Sequence, residues 1–452
     1  MDKATSPSQL LSLTRAEVLH AQLNALNSLL GRILPQNEFY RQKLVGAKQP
    51  IDADDTGAMR FQSMADFQAI PFTTREEIEA DQLTNQPYGT NLSIPATSFQ
   101  RVHQTSGSKG TPVTWLDTGD SWNWWKRCWR VVLEAAGVTE ADRVFVPFSF
   151  GPFIGFWGAY EAAMAMGAMV LPAGGMSTSA RLAYLQKHGA TVLCCTPTYA
   201  LRMVEVAQAE GVDLAQSPVR AIIVAGEPGG GIESTRHRME SGWGARVFDH
   251  VGMTEIGAWG FEVEAEPGTV FVNELEFVAE VVDPESGTPM FPSGTPQEQP
   301  PPGTRGELVL TNLGRWESPL IRYRTGDLVE LSERNGLMGL KAGVIGRTDD
   351  MIHVRGVNVF PSALENVVRR FEQVAEFQIF WDDSTDAGTL LIRLELRQHA
   401  AGSSVAEELA ASVEQAIRDA VHVRPRVEVV TEGSLPRSEM KARRFFRGRG
   451  NT

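Results

Sequence analysis

Between Gln104 and Pro112 the chain reads Gln-Thr-Ser-Gly-Ser-Lys-Gly-Thr-Pro, which packs glycines, hydroxyl residues and a lysine into one short loop. Backbone N–H groups, hydroxyls and an ammonium can together wrap a phosphate chain. The spacing is not the G-x-x-x-x-G-K-[ST] of P-loop nucleotidases, and taken alone it fits a plain Ser/Gly turn as well. A second concentration lies at the end of the chain, where Arg437, Lys441, Arg443, Arg444, Arg447 and Arg449 crowd together. By charge alone this is a solvated basic tail. A third is Phe148-Ser149-Phe150-Gly151-Pro152-Phe153, whose clustered rings suit either the lining of a pocket for an aryl acid or ordinary core. Trp122, Trp125 and Trp129, at i, i+3 and i+7, read as the packing stripe of a helix.

Such residues need a scaffold to bring them together. From about residue 143, β-rich apolar runs at 144–146, 168–171, 191–194 and 221–224 alternate with helical stretches such as 178–188 and 199–210. This is an α/β succession with a parallel sheet, whose ligands sit outside the carboxyl ends of the strands. Upstream, residues 7–45 carry apolar positions at helical spacing and predict an amphipathic lead-in within residues 1–80. A further β-rich region at 276–282 and 306–311 is joined by the proline-rich stretch 283–303, which predicts an exposed excursion. The last hundred residues give a helix at 363–371, strands at 377–381 and 390–396, a helix at 405–421 and a strand at 427–430. The expected fold class is therefore α/β. A large N-terminal domain, 1–348, would hold mixed and parallel sheets flanked by helices, and a small α+β domain, 349–452, would follow.

Length agrees with this division, because 452 residues exceed what one typical domain needs. Apolar residues make up 42% and charged residues 21%, so the chain is a folded globular one. Its net charge of −13 argues against nucleic acid and anionic membranes as partners, since attraction to polyanions has the wrong sign. Three cysteines, Cys128, Cys194 and Cys195, make neither a disulfide framework nor C-x-x-C metal spacing. With no signal-peptide pattern at the N-terminus, a cytoplasmic setting is expected. The apolar stretch 153–175 contains Glu161 and many glycines and reads as a buried helix followed by a strand, not a membrane span.

More motifs follow the loop in order. They are Ala225-Gly226-Glu227-Pro228, Asp249-His250-Val251-Gly252-Met253-Thr254-Glu255 and Tyr323-Arg324-Thr325-Gly326-Asp327. Next come Gly346-Arg347-Thr348-Asp349-Asp350, running on to Arg355-Gly356-Val357, and finally Pro436-Arg437-Ser438-Glu439-Met440-Lys441. In this order and spacing the chain resembles the adenylate-forming superfamily of acyl-CoA synthetases. Glu38-Phe39-Tyr40-Arg41 and Ile70-Pro71-Phe72-Thr73-Thr74-Arg75 make it most similar to the phenylacetate–CoA ligase branch.

That resemblance implies roles. Thr105, Ser106, Gly107, Ser108, Lys109 and Gly110 would cradle the β- and γ-phosphates of ATP. Thr254 would contact the α-phosphate and Glu255 would hold Mg²⁺, a hard ion bound by few carboxylates and by substrate phosphates. Asp327 would accept from both ribose hydroxyls, with Arg347 reaching the ribose or phosphate. A carboxylate suits a diol because it offers several acceptor sites and no competing donor. Gly226, Glu227 and Pro228 would line the adenine, and Asp249 would stand near its amino group. Many relatives have an aromatic residue where this chain has Val251, so packing on the base would fall to Val251 or His250. Lys441 would bridge carboxylate and phosphate oxygens as acyl-AMP forms; its neighbour Met440 stands where glycine is usual. Asp349 would be a hinge about which the small domain turns to bring the coenzyme A-facing Arg355 and Gly356 to the site. The acyl pocket would draw on Phe148, Phe150, Phe153, Ala225, Gly252, Met253, Ile256, Gly257 and Ala258. Some relatives hold a structural zinc after the Thr-Glu motif; Val263 and Phe271 in that region predict none here.

The expected activity is an ATP- and Mg²⁺-dependent ligation of a small carboxylic acid, of aryl or arylacetic type, to coenzyme A through an acyl-adenylate. The resemblance also implies the homodimer common in that branch. Two alternatives remain at this stage: transfer to a carrier protein or other acceptor, as in coenzyme F390 synthetases, and a nucleotide-binding regulator without turnover.

Overall fold

The computed structural model describes residues 5–45, 52–53, 59–105, 111–290, 302–332, 336–350, 352–354, 357–382, 389–397, 403–436 and 444–448. The lead-in is three helices, Pro7–Ser12, Arg15–Ile33 and Glu38–Val45. The first two start at capping boxes, Ser6 with Gln9 and Thr14 with Glu17, in which two backbone N–H groups without intrahelical partners are satisfied reciprocally.

The four runs expected as strands, joined by Arg246–Asp249, form a five-stranded parallel sheet in the order Met169–Pro172, Arg143–Val146, Val192–Cys195, Ala221–Val224, Arg246–Asp249. Val192–Cys195 and Ala221–Val224 are buried at every position, as continuous apolar runs in a sheet covered on both faces must be. Stretch 153–175 gives the helix Trp157–Ala165 and the strand Met169–Pro172, and among the described residues no helix is long and apolar enough to cross a membrane. Two residues past Asp249, at Val251, the chain enters a second sheet. It has seven antiparallel strands in the order Val251–Met253, Gly257–Phe261, Thr269–Val272, Gly339–Arg347, Tyr323–Leu331, Arg305–Asn312, Phe277–Val282. Only the last two of these were expected from the sequence. Of stretch 283–303, residues 283–290 form an exposed turn on Asp283, and 291–301 lie outside the described residues.

Helix Gly119–Ala135 packs between the sheets, and Trp122, Trp124, Trp125 and Trp129 on it are at most 2% exposed. The three cysteines are buried free thiols. Tyr40 and Thr73, from the two N-terminal signature stretches, close on one strand edge. Ile321 donates its N–H to the Tyr40 hydroxyl at 2.8 Å, and the Thr73 hydroxyl donates to the Ile321 carbonyl at 2.7 Å.

Residues 352–447 have a core of their own under a four-stranded mixed sheet, ordered Arg426–Val430, Thr389–Leu396, Val374–Asp382, Phe445–Arg447. The helix expected at 363–371 runs instead from Pro361 to Val368, because proline is preorganised for the first helical turn. Phe445–Arg447, inside the basic tail, is a strand parallel to Val374–Asp382. Beside it Arg444 donates to both oxygens of Glu376, at 2.7 and 3.0 Å, and reaches the Thr198 hydroxyl of the large part at 3.4 Å.

Candidate active site

Residues 106–110 lie outside the described residues, but the hairpin that carries them is clear. Strands Arg101–Gln104 and Thr114–Asp117 pair antiparallel, with Gln104 opposite Thr114. Thr105 closes the stem: its N–H donates to the Val113 carbonyl and its hydroxyl accepts from the Val113 N–H, both at 3.0 Å. Arg75, placed by the Thr73 clamp, donates to the Thr111 carbonyl at 3.1 Å and stands 3.5 Å from the Glu255 carboxylate. The loop stem and the Thr254-Glu255 turn therefore share one cation.

A second arginine fixes that turn from below. Arg315 is fully buried, donates to the carbonyls of Thr254 and Glu255 at 3.1 Å each, and pairs with Asp117 at 2.7 Å. Burial alone would raise Asp117, but the guanidinium and the hydroxyl of Ser121 hold it below its ordinary value. Glu255 is pushed the other way, because burial outweighs the charges of Arg75, Arg347 and Arg315. Its nearest cation stands at 3.5 Å, outside close hydrogen-bond contact, so a hard oxygen ligand is presented at the mouth of the phosphate loop. That donor chemistry fits Mg²⁺ shared with substrate phosphates. Among the described residues no cluster of three His, Cys, Asp or Glu side chains could hold a metal unaided.

Asp327 and Arg347 face each other across adjacent strands, joined at 2.8 Å. Asp249 is packed so tightly that a Cβ on Gly230 would come within 2.5 Å of its carboxyl carbon, and one on Gly343 would sit 3.5 Å from an oxygen. Burial, then the charge of Glu262, pushes Asp249 up to about 8, against the pull of Arg236. Glu262 is paired with Arg236 at 2.6 Å and accepts from the Asp249 N–H. Val251 shares this side, 3.5 Å from the same Gly343 position. Gly226 has φ +92, and the Glu227 carboxylate accepts from the Thr198 N–H at 2.8 Å; Pro228 continues this turn beyond the strand Ala221–Val224.

His250 is not on that side. Its ring lies 4.1 Å from the Trp129 ring, and Trp129 meets Phe156, which in turn meets Phe148. Phe148 and Phe150 pack edge to face, and Phe150 packs on Trp157 and Tyr160. Phe153 is 39% exposed and joins none of these ring contacts among the described residues. Ala225 and Met253 rest against the main core, while Ile256 and Ala258 lie inside it. A Cβ on Gly257 would meet Trp124 and Phe277, so this glycine also faces core. Gly252 is exposed. Asp349 lies in the turn Thr348–Asp350 after the strand Gly339–Arg347, and Arg355, Gly356 and Lys441 fall outside the described residues.

Sequence reasoning had no role for Arg75, Arg315 or Phe156 and placed His250 with the base. The only signal available for Arg75 was its place in the N-terminal signature. Nothing local marks Arg315, whose partner Asp117 is 198 residues away.

Comparison with known proteins agrees with this arrangement. Residues 64–314 match the AMP-binding enzyme family, and residues 356–449 match the AMP-binding enzyme C-terminal domain. The phenylacetate–coenzyme A ligase of Escherichia coli (strain K12) is 29% identical over 418 residues, 90% of this chain and 89% of that protein. A 2-hydroxyisobutyryl-CoA ligase in its postadenylation state, bound to 2-hydroxyisobutyryl-AMP, superposes with a TM-score of 0.88 at 26% identity, covering 99% of this chain and 94% of that one. The same ligase with coenzyme A in its thioesterification state gives 0.69 at 25% identity, covering 100% and 94%. Over its length the present chain superposes more closely on the postadenylation form than on the thioesterification form.

Proposed function

Because the chain belongs to the AMP-binding enzyme family, we propose that it activates a carboxylic acid with ATP and passes the acyl group to coenzyme A. The observation that carries this reading is the single cation, Arg75, shared by the stem of the hydroxyl-rich loop and the Glu255 carboxylate. It brings the stem that carries the hydroxyl-rich loop and a metal-type ligand to one cation. In the first step a carboxylate oxygen attacks the α-phosphorus, an O–P bond forms, and the bond to the bridging oxygen breaks with its electron pair leaving on pyrophosphate. In the second, the thiol sulfur attacks the acyl carbon, AMP departs with the C–O electron pair, and the thiol proton passes to water.

The loop donors and Thr254 would orient the triphosphate, and the Asp327–Arg347 pair would receive the ribose already oriented. Mg²⁺, when bound by Glu255 and substrate phosphates, supplies charge neutralisation at the phosphate oxygens. Lys441 would meet the charge that grows on the reacting oxygens, and a turn about Asp349 would then exchange it for Arg355 and Gly356. The acid is of aryl or arylacetic type, a reading supported by the run of rings from Phe150 through Phe148 and Phe156 to Trp129 and by the phenylacetate ligases among the relatives.

Acid-dependent exchange of pyrophosphate into ATP, measured over a panel of aryl and aliphatic acids, tests the first step. Thioester formation on adding coenzyme A tests the second. ATP binding without exchange for any acid would overturn the ligase reading, and acyl-AMP that accumulates in the presence of coenzyme A would overturn the acceptor.

A further inference from the structure

Successive residues of a strand point to opposite faces, and the short segment 249–252 uses this to separate two compartments. Asp249 and Val251 share the side of Gly343. His250 and Gly252 share the other, where a Cβ on Gly252 would stand 3.2 Å from His250 Nε2. Gly252 is exposed, and a side chain there would crowd Nε2 along with the Gly257 carbonyl oxygen at 3.0 Å and Ala258 Cα at 3.3 Å, so glycine leaves Nε2 its approach.

The state of the ring follows from its other nitrogen. Nδ1 lies 2.6 Å from the Gly260 carbonyl oxygen, which can only accept, so Nδ1 carries the hydrogen. In a neutral imidazole Nε2 is then a bare lone pair. Burial lowers His250 to about 4, which keeps the ring neutral near pH 7. Only 3% of the residue is exposed, and among the described residues no hydrogen bond reaches Nε2. The ring is held by Trp129, itself pinned because a Cβ on Gly158 would run into the indole. A fixed acceptor without a protein partner, beside the Trp129 ring and under an exposed glycine, gains a hydrogen bond from a matching donor on a ligand.

We propose that His250 Nε2 is a specificity-determining acceptor in the acyl compartment, selecting acids that carry a hydroxyl or N–H donor on the body of the molecule over the parent acids that lack one. The inference rests on the ligase reading above and narrows its substrate class. A site built to hydrogen-bond a substrate hydroxyl rejects the analogue without it, because its own buried group is left unpaired.

The test compares kcat/KM for pyrophosphate release across pairs: phenylacetate and benzoate against their positional hydroxy and amino isomers. The wild type is expected to prefer at least one donor-bearing isomer by about 10-fold or more. His250→Leu should collapse that ratio towards one, and Gly252→Ala, which fills the space but keeps the histidine, should do the same. A wild type that favours the parent acid in every pair would overturn the proposal, as would a His250→Leu variant that keeps the ratio. Calorimetric affinities for non-hydrolysable acyl-sulfamoyl-adenosine pairs, with and without the hydroxyl, read the same preference without turnover. Absence of turnover with retained discrimination would therefore sink the ligase reading alone, and equal affinities would sink the role of His250 alone.

Discussion

On one side of the segment 249–252, Asp249 sits with Glu262, Arg236 and the close backbone of Gly230, and Asp117 and Arg315 support the adjoining turn. On the other side, His250 sits with Trp129, Phe156 and Phe148. The first region is organised by paired charges, and the second by ring shape with one free acceptor. Removing half of a buried ion pair strands the other half, whereas trimming an aromatic wall changes fit. The nucleotide side should therefore fail as a unit, and the acyl side should fail one substrate at a time.

The severest way to break the contrast is Arg315→Met, which leaves Asp117 buried without its partner. A loss of about 3–5 kcal/mol in denaturant unfolding is expected, and ATP-dependent exchange in the remaining folded protein should fall for every acid alike. A uniform fall with unchanged stability would mean that Arg315 acts on the nucleotide and not through the turn.

Acidification probes the other side. His250 has its folded-state value depressed from 6.5 to about 4, so the folded protein binds fewer protons than the unfolded chain between those limits. Its contribution is fully present above pH 6.5 and is lost as the pH falls towards 4, a span of roughly 3 kcal/mol. His250→Leu should flatten that part of the stability profile, and identical profiles would show that the ring is not sealed as described.

Gly158→Ala presses a methyl group against the Trp129 indole. Overpacking of this kind costs about 1–3 kcal/mol, and here it should raise KM for the acid while KM for ATP stays within twofold. Equal changes in both would blur the division that the strand makes. The smallest effect is expected from Thr198→Val, which removes the hydroxyl that Arg444 reaches across to the large part. If the small part turns as proposed, a shift worth at most about 1 kcal/mol in the balance of its positions is expected, read by distance measurements between labels on the two parts.

The same contrast explains what the sequence made legible. The parallel sheet could be read because runs such as Val-Leu-Cys-Cys at 192–195 and Ala-Ile-Ile-Val at 221–224 are apolar throughout. Strands Gly257–Phe261 and Gly339–Arg347 escaped because glycines interrupt the apolar pattern and the burial comes from tertiary packing. Phe445–Arg447 was hidden by the arginines around it. On the nucleotide side, loop composition and motif order were enough to propose Thr105, Glu255, Asp327 and Arg347. His250, expected beside the base, faces Trp129 because side chains one residue apart in the segment 249–252 point to opposite sides. Arg75 and Arg315 act through contacts that local spacing does not contain.

Arg444 carries its counter-ion with it. Glu376, which neutralises it at 2.7 Å, belongs to the same small sheet, while the large part offers the guanidinium a Thr198 hydroxyl contact at 3.4 Å and the more distant charge of Glu227. If the C-terminal part swings away, the pair travels intact and no lone charge is left behind in a dry interface, so the step escapes the penalty of a severed ion pair. If that part leaves and returns during turnover, such a portable pair would serve it better than a bond broken each time.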